Sequence, residues 1–551
     1  MKRTLITTLF LLTVLLTVSA QPGPVKKAAN AVFTLTTYKA DGTQIASTNG
    51  FFINSNGTAV SCWTPFNGAA RAEVTDANGQ RHNVSAIYGA DELYNIVKFQ
   101  VDGKIPAALT ASSQHPANGS QVYLITRNLK PQATTIEGVE SFLTKYAYYI
   151  LSGNNSDADG APVVCSNGQV IGLARLATTG TLNAVDARYT EEFKLTGLSS
   201  NDNLLRSTGI RIALPDDEQQ AQIALIMAAN SNNEKYTATI YDFIAKFPRL
   251  NDGYYARATN ELAKGNAQAA DEALLSGIKN ATPKDEAHYN YARVIYQSQT
   301  INDSAFVRPA TWTIEKAEAE AQEANRLNPQ PAYQHLLTQI TYLKGDYQKA
   351  YDEFIALTKT SFRNPELFYE AAQSKTMLKA SDDEILALLD SAIAVCDTPY
   401  VATSAPYFLA RATQLDKMGN YRKAMLDYYT YEYFNQGRLG ADFYYLREQS
   451  EMRGKLYQQA LQDIIIALRI NPEEATYHAE LANICLRIGK PENAIEPAQE
   501  AIKLSPDFAD AYLVLGIAQC QTDKKAEGRK NLEKAKELGS TQADLFIAKY
   551  K

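Results

Sequence analysis

A 34-residue period near the C-terminal end restricts the possible folds of this chain more than any other feature. Small or apolar positions recur in the same order, with Ala460, Ile464, Ala467 and Pro472 repeated as Ala494, Ala498, Ala501 and Pro506, and in part as Gly528, Leu532 and Ala535. A fixed period of this length indicates stacked copies of one supersecondary unit. Because a single unit cannot bury its own apolar face, neighbouring units stack into a superhelix with a long concave surface.

Within each unit the apolar positions fall at helical spacing and predict two helices. The small residues mark where neighbouring helices approach closely, and the proline ends the second helix because it lacks a backbone N–H. This pattern resembles the tetratricopeptide repeat, a pair of antiparallel helices. The resemblance implies an all-α solenoid over residues 217–551 with about nine helix pairs, whose second helices are anchored at Tyr236, Ala270, Ala317, Ala350, Ile385, Ala424, Ala460, Ala494 and Gly528.

Two local features depart from the repeat. The distance from Ala270 to Ala317 is 47 residues, which predicts an inserted loop near residues 300–309. Pro497 lies inside the predicted second helix of its unit, where a proline costs about 3 kcal/mol or forces a kink. The pattern offers no functional reason for this proline.

The resemblance also implies a binding groove lined by the first helix of each pair. In the C-terminal units the positions expected on the concave face are Tyr445, Gln449 and Met452, then Ala479, Asn483 and Leu486, then Leu513, Ile517 and Cys520. Family members that bind acidic C-terminal tails use Lys, Arg and Asn at such positions, and only Asn483 is retained here. A groove of mixed polarity predicts an extended segment or an amphipathic helix of another protein as the partner.

The overall charge excludes one class of partner. The chain has a net charge of −6, and no part of its 551 residues forms a basic tract. Nucleic-acid binding requires clustered Lys and Arg that neutralise phosphates, so no nucleic-acid partner is expected.

The first 20 residues have the pattern of a secretory signal. Lys2 and Arg3 precede an apolar run from Leu5 to Val18, and small residues at Val18-Ser19-Ala20 flank a cut before Gln21. Because the residue directly after the cut is not a cysteine, a lipid anchor is disfavoured. The apolar run is also short for a membrane span. We therefore expect an exported protein, periplasmic, secreted or on the cell surface, with no transmembrane segment in the mature chain.

Short β-rich runs separated by Asn, Gly, Asp and Ser turns occupy residues 25–214 and predict an antiparallel barrel or sandwich. Three stretches, in this order, resemble the trypsin-like peptidases of the HtrA type: Gly50–Gly57 with the following TAVSCWTPF, then Tyr88–Val101, then Asp157–Leu173. They look like the strand that leads to the catalytic histidine, the segment with the orienting aspartate, and the nucleophile loop. The resemblance implies an all-β trypsin-like double barrel, joined here to the all-α solenoid in place of a PDZ domain.

The residues at the three catalytic positions depart from that family. Thr64 stands where the resemblance implies the histidine base, Asn95 where it implies the aspartate, and Asp159 where it implies the serine. In that chemistry the hydroxyl passes its proton to an imidazole, which a carboxylate holds in the correct tautomer. Threonine cannot accept that proton near neutral pH. Asp157 also replaces a glycine of the oxyanion-binding turn.

The remaining histidines do not supply a base. His82 and His115 lie in polar turn-like or strand-edge sequence and are expected to be exposed, while His288, His335 and His478 belong to the repeats. No pair of histidines has metal-ligand spacing and no CxxC motif is present, so the sequence calls for no cofactor. Cys62 and Cys165 are either a disulfide pair, if the compartment is oxidising, or two buried thiols.

One loop carries a weak cation motif. Asn155, Asp157 and Asp159 occupy the first three ligand positions of a calcium loop, and Gly160 stands at its sixth position. Calcium needs six to eight oxygens, usually closed by a Glu at position twelve, where this chain has Ser166. The alternative interpretation is a solvated Asx-rich turn.

Three functions are compatible with these patterns. The first is an exported, non-enzymatic binding or scaffold protein, in which a pseudopeptidase domain is joined to a helical solenoid that holds a protein or peptide partner. The second is a serine-type endopeptidase or another hydrolase whose catalytic residues differ from those aligned above. The third is a calcium-dependent binding module.

Overall fold

A computed structural model describes residues 21–230, 233–299, 301 and 306–550. The signal-like segment and part of the insertion near 300–309 lie outside the described residues. The described chain divides into two units, one running to Ala287 with residues 306–309 added, and the other starting at His288.

Six antiparallel strands of the first unit form a closed barrel in the order β1-β2-β3-β6-β5-β4. Their bounds are β1 Val32–Tyr38, β2 Gln44–Phe52, β3 Thr58–Ser61, β4 Arg71–Thr75, β5 Arg81–Asp91 and β6 Ile96–Val101. The alternation of inward and outward residues along the strands fills the interior with apolar side chains, among which Phe33, Phe52, Phe66 and Phe99 are almost fully buried.

A second closed barrel follows in the order β10-β11-β12-β9-β8-β7. Its strands are β7 Gln121–Ile125, β8 Pro131–Phe142, β9 Tyr146–Leu151, β10 Pro162–Val164, β11 Val170–Leu176 and β12 Leu182–Asp186. One apolar cluster contains side chains of both barrels and of the short N-terminal helix α1, Gly23–Ala28, including Val25, Phe51 and Val164. The predicted double β-barrel is confirmed.

Helices make up the rest of the chain, as predicted. The first unit contains α2 Asn203–Arg206, α3 Glu218–Ala228, α4 Asn233–Lys246, α5 Asn251–Ala263 and α6 Ala267–Asn280, and α7 Lys284–Gln299 begins in it and ends in the second. The second unit continues with α8 Ile314–Leu327, α9 Pro331–Leu343, α10 Tyr347–Leu357, α11 Pro365–Met377, α12 Asp382–Val395, α13 Ala405–Lys417, α14 Tyr421–Phe434, α15 Ala441–Arg453, α16 Tyr457–Ile470, α17 Ala475–Arg487, α18 Pro491–Leu504, α19 Ala509–Cys520, α20 Lys525–Glu537 and α21 Ala543–Lys549.

The small residues of the 34-residue period lie where helices meet. Ala460, Ile464, Ala467, Ala494, Ala498 and Ala501 are all fully buried. A larger side chain at these positions would push the neighbouring helix away, because helical interiors are close-packed. Pro497 lies inside α18, as the pattern indicated, and the helix continues through it to Leu504.

Two expectations for single residues need correction, and one alternative is resolved. His82 is only 6% exposed, because its Nε2 contacts Asp76 Oδ2 at 3.1 Å and its Nδ1 contacts the Asp102 carbonyl oxygen at 3.0 Å. Leu513, Ile517 and Cys520 were expected to line the groove but are 6%, 8% and 3% exposed, because they pack in an apolar cluster with Phe546 of α21; Ala479, expected on the same face, is 5% exposed. The five cysteines are free thiols, so Cys62 and Cys165 form no disulfide in this structure.

No helix in the described ranges has both the length and the apolar character required to cross a bilayer.

Candidate binding cleft between the two barrels

The three positions aligned with catalytic residues line one cleft of about 430 Å³ in the first unit. Its wall is formed by Ile45, Ala46, Ser47, Thr48, Asn49, Cys62, Thr64, Pro65, Asn95, Arg127, Ser156, Asp157 and Asp159. Histidine does not occur among these described lining residues. Thr64, Asn95 and Asp159, which were aligned with catalytic positions from the sequence, therefore lie in the same cleft. No imidazole among the described lining residues could act as the base for a hydroxyl nucleophile.

Thr64 and Asn95 are joined directly. The Thr64 backbone N–H and its hydroxyl both donate to Asn95 Oδ1, each at 2.8 Å. Thr64 opens a short 3₁₀ turn, Thr64–Phe66, after β3, and Asn95 lies between β5 and β6 with a φ of +50°. Asn tolerates this left-handed conformation better than most residues, and the conformation aims its amide at the turn.

An aromatic cluster supports the segment that carries Asn95. The Tyr94 ring lies 4.5 Å from the Phe142 ring and 5.5 Å from the Tyr189 ring, measured between centroids. The Tyr189 hydroxyl donates to Asp91 Oδ2 at 2.6 Å, so the cluster also holds the end of β5. Because these rings come from both barrels, the position of Asn95 depends on their packing together.

Asp159 makes hydrogen bonds to residues other than Thr64 and Asn95. Its Oδ1 accepts a hydrogen bond from the Leu176 backbone N–H at 2.7 Å, and its carbonyl oxygen accepts one from the Thr48 hydroxyl at 2.7 Å. The carboxylate therefore ties the loop after β9 to the end of β11. A side chain occupied in this way serves a structural purpose that serine, which is shorter, would not reproduce.

Asn49 was missed by the sequence analysis, although it connects both barrels at this cleft. Its side-chain N–H groups donate to the carbonyl oxygens of Asp157 and Asp159 at 2.5 and 2.8 Å, and its Oδ1 accepts from the Arg127 backbone N–H at 2.6 Å. The residue is 2% exposed. No local signal marks it, because its partners lie at least 78 positions away in the chain.

Gly160 is required by the close approach of this loop to β2. It has a φ of +79°, and a Cβ added to it would lie 2.2 Å from the Asn49 carbonyl oxygen. Any other residue would force the loop and β2 apart. The glycine at the sixth position of the proposed calcium loop is thus explained by packing.

The oxygen atoms of that loop point to separate partners. Asn155 Oδ1 accepts from the Asp157 backbone N–H at 2.9 Å, while Asp157 Oδ1 pairs with Arg127 Nη2 at 3.2 Å and Asp159 binds Leu176. Among the residues that the structure describes, no three His, Cys, Asp or Glu side chains are grouped so that they could hold a metal ion. Calcium binding by this loop stays an untested prediction.

Cys62 lies at the base of the cleft and is buried. Burial, reinforced by the nearby charge of Asp159, raises the pKa of its thiol well above the usual range. A thiol held in its protonated form is a poor nucleophile. Among the lining residues, cysteine therefore does not replace the missing serine.

Comparisons with known proteins agree with the fold of this part of the chain. The family model of the trypsin-like peptidase domain matches residues 48–173, and no curated protein matches the chain. Two solved structures of the HtrA-type protease AlgW, with a tripeptide and with a decapeptide, are similar at 18% and 16% identity, with TM-scores of 0.26 and 0.27. The similarity covers 31% of this chain and 60% and 64% of those chains, less than two thirds of either. The residues matched by the family model run from the middle of β2 to the middle of β11 and so take in parts of both closed barrels, less than half of the chain.

Proposed function

We propose that this chain is a non-catalytic, exported protein-binding protein, in which the trypsin-like domain has lost its peptidase chemistry and the helical region holds a protein or peptide partner. The proposed loss of peptidase chemistry is supported by the hydrogen bonds that the three aligned side chains make. The Thr64 hydroxyl donates a hydrogen bond to Asn95 Oδ1, and the Asp159 carboxylate accepts one from the Leu176 backbone N–H.

Catalysis by this fold would need a group that takes a proton from the attacking atom. Neither the Thr64 hydroxyl nor the Asn95 amide is basic near neutral pH, and the described cleft contains no imidazole. The Cys62 thiol is kept protonated by burial. The cleft is therefore suited to binding or to a structural purpose.

The helical region supports the second half of the proposal. Its period, its buried small residues and its consecutively packed helices are those expected of tetratricopeptide repeats, which expose an extended inner face for a partner. Of the predicted groove residues, Tyr445, Gln449, Met452, Asn483 and Leu486 are partly accessible and stay candidates for partner contact. An exported location follows from the signal-like sequence of residues 1–20.

An activity-based probe tests the absence of catalysis. The full chain is incubated with a fluorophosphonate, which labels activated serine and threonine hydroxyls, and with a denatured protein substrate. We expect neither labelling nor cleavage. Labelling that disappears in Thr64→Ala, Ser47→Ala or Ser156→Ala would identify a nucleophile in the cleft and contradict the proposal.

Partner binding is tested by photo-crosslinking in the producing cell. A benzophenone amino acid replaces Tyr445 in the full chain, and crosslinked products are compared with those obtained from the same replacement at exposed Leu545. A product specific to position 445 is expected. If neither position gives a product above the uncrosslinked control, the binding proposal fails.

A further inference from the structure

The helices α15 and α17 carry a shared face of tyrosines and carboxylates. The rings of Tyr445 and Tyr477 lie 5.1 Å apart, and the Tyr477 hydroxyl donates to Asp442 Oδ1 at 3.1 Å. Gln449 Nε2 donates to Glu448 Oε2 at 2.7 Å, and Asn483 Nδ2 donates to a carboxylate oxygen of Glu480 at 3.1 Å. Two helices that are 34 positions apart in the repeat therefore contribute to one surface, which we call the acidic tyrosine face: Asp442, Tyr445, Glu448, Tyr477 and Glu480.

The acidic tyrosine face carries excess negative charge. Glu480, Glu448 and Glu474 all contribute to the raised pKa of Tyr445, after the larger effect of burial. Of the two arginines of α15, Arg453 pairs with Asp416 of α13, and Arg447 is bound to other carboxylates. It is 3% exposed, and its guanidinium binds both oxygens of Asp463 at 2.6 and 2.8 Å and Glu432 at 2.6 Å.

One carboxylate oxygen of this face also lacks a partner in the described part of the chain. Glu448 is 0% exposed, and its Oε1 accepts no hydrogen bond from any residue that the structure describes. An unpaired buried carboxyl oxygen is costly, because it has lost water without gaining a protein donor. Such an atom beside Glu480 is the expected state of a site that a cation completes.

We propose that the acidic tyrosine face binds a Lys or Arg side chain presented by an extended segment of a protein partner. This inference rests on the proposed function, because it names the chemistry of the partner that the helical region holds. The partner contributes the positive charge that the five residues of the face lack, and its chain runs along the half-buried Tyr445 and Gln449.

The chemistry of the face favours this occupant over others. An ammonium or guanidinium group is stabilised by the π-face of a tyrosine and by a neighbouring carboxylate, more strongly when it is partly desolvated. An acidic tail would be repelled by Asp442, Glu448 and Glu480. Within the described residues, no three metal-ligating side chains are placed to hold an ion, so a metal does not fit the face.

Cation binding to this face depends on pH. Burial, followed by the charges of Glu480 and Asp463, raises the pKa of Glu448 to about 8. The hydrogen bond from Gln449 and the charge of Arg453 act in the opposite direction, and each is smaller than the effect of burial. A bound cation favours the ionised carboxylate. Affinity should therefore rise as the pH increases from 6.5 to 8.5, because less free energy is then spent on removing the proton.

The test uses the full chain and a fluorescent peptide of alternating Gly, Ser and Arg, with a matched peptide that has Glu in place of Arg. Anisotropy titrations should show binding of the Arg peptide alone. We expect Glu480→Gln to weaken it at least tenfold, and the control Glu533→Gln, which changes an exposed acid on α20, to leave it within twofold. Circular dichroism establishes that each variant is folded.

The pH series gives a second, independent readout. The wild-type chain should bind the Arg peptide at least threefold more tightly at pH 8.5 than at pH 6.5, and Glu448→Gln should lose this difference while remaining folded. Equal affinity of both peptides, or equal binding by Glu480→Gln and wild type, would overturn the inference. If crosslinking at Tyr445 still yields a product that excess Arg peptide does not displace, the inference is wrong while the proposed function stands; if no product forms, the proposed function itself fails.

Discussion

At the scale of single residues, the cleft is organised by amide side chains. Asn95 receives both donors of Thr64, and Asn49 joins three backbone groups of the second barrel. The residue types at the three aligned positions thus stabilise the same junction at which a peptidase would carry out catalysis.

Asn49→Ala should destabilise the first unit by about 1–3 kcal/mol, because it removes three part-buried hydrogen bonds, to the Asp157 and Asp159 carbonyl oxygens and from the Arg127 backbone N–H. Urea unfolding followed by Trp63 fluorescence, in a Trp312→Phe background, measures this change. Asn154→Ala, an exposed amide in the neighbouring loop, is the control and should alter stability by less than about 0.5 kcal/mol. A similar effect of both substitutions would contradict the junction described for Asn49.

Glu448→Gln should stabilise the second unit at pH 8 and have a smaller effect at pH 5. The pKa of Glu448 is raised from 4.5 to about 8 in the folded chain. Between these values the unfolded state binds fewer protons than the folded state, so stability falls as the pH rises through this window, by up to about 1.4 kcal/mol per pH unit. Chemical denaturation at several pH values, followed by circular dichroism, should show a shallower slope for the variant. An unchanged slope would mean that Glu448 ionises normally.

At the scale of elements, the turn inside many helix pairs has one conformation. The residue two positions beyond the last helical residue has a positive φ and is glycine in most cases: Gly265, Gly345, Gly419 and Gly489. Lys379 and Lys455 occupy the same position with φ of 55° and 57°. In each turn the next N–H returns to the helix, as Leu456 N–H does to the Glu451 carbonyl at 2.7 Å.

Lys455→Gly should therefore stabilise the second unit by about 0.5–1 kcal/mol, since glycine adopts positive φ without the steric cost that a Cβ brings. Gly489→Lys makes the reverse change in the next pair and should destabilise by a similar amount. Both are measured by urea denaturation at one pH. The changes in the free energy of unfolding should have opposite signs for the two variants. Changes of the same sign would show that another interaction determines the stability of the turn.

One arginine in each of two successive pairs joins neighbouring helices. Arg411 binds Asp427 and Asp390, and Arg447 binds Asp463 and Glu432 in the corresponding arrangement. In the following pair the positions 34 residues on from Arg447 and Asp463 are Leu481 and Pro497. The proline therefore stands where the acidic partner is no longer needed, which gives the local conflict in α18 a structural context.

Pro497→Ala should raise the stability of the second unit by about 1–3 kcal/mol, because alanine restores the N–H that Asn493 C=O would accept and removes the ring from the helix interior. Thermal unfolding followed at 222 nm measures the change. Pro491→Ala is the control, since a proline at the start of α18 removes no intrahelical bond and its replacement should have little effect. Destabilisation by Pro497→Ala would mean that the proline itself packs favourably.

At the scale of the whole molecule, two architectures are combined in one chain. The barrels depend on contacts between strands that are distant in sequence, whereas each helix packs mainly on its neighbours in the chain. Net charge is low and no described helix could span a bilayer.

Expression of the full chain in a host with a Sec pathway should yield a mature protein that begins at Gln21. Intact mass measurement and N-terminal sequencing check this. Ala20→Arg places a large charged residue before the cut and should leave the leader attached. A mature protein that retains Met1 in the wild type would show that residues 1–20 act as an anchor instead.

The helices were predictable because their contacts are local. Positions such as Ala460 and Ala494 repeat at a spacing that one helix pair imposes on the next, so the spacing alone indicates which residues are buried. The three β stretches likewise predicted the barrels and the common location of Thr64, Asn95 and Asp159. What their side chains do there was not predictable.

The hydrogen bonds and packing of these side chains depend on residues that are far apart in the chain. Asn49 acquires its importance from partners up to 110 positions away, and Asp159 turns to Leu176 because β11 ends beside it. Leu513 and Ile517 are buried because α21 covers them. The period and pattern of the sequence determined the elements, since those depend on neighbours, and the tertiary structure alone decided which polar atoms meet, since that depends on how distant segments pack.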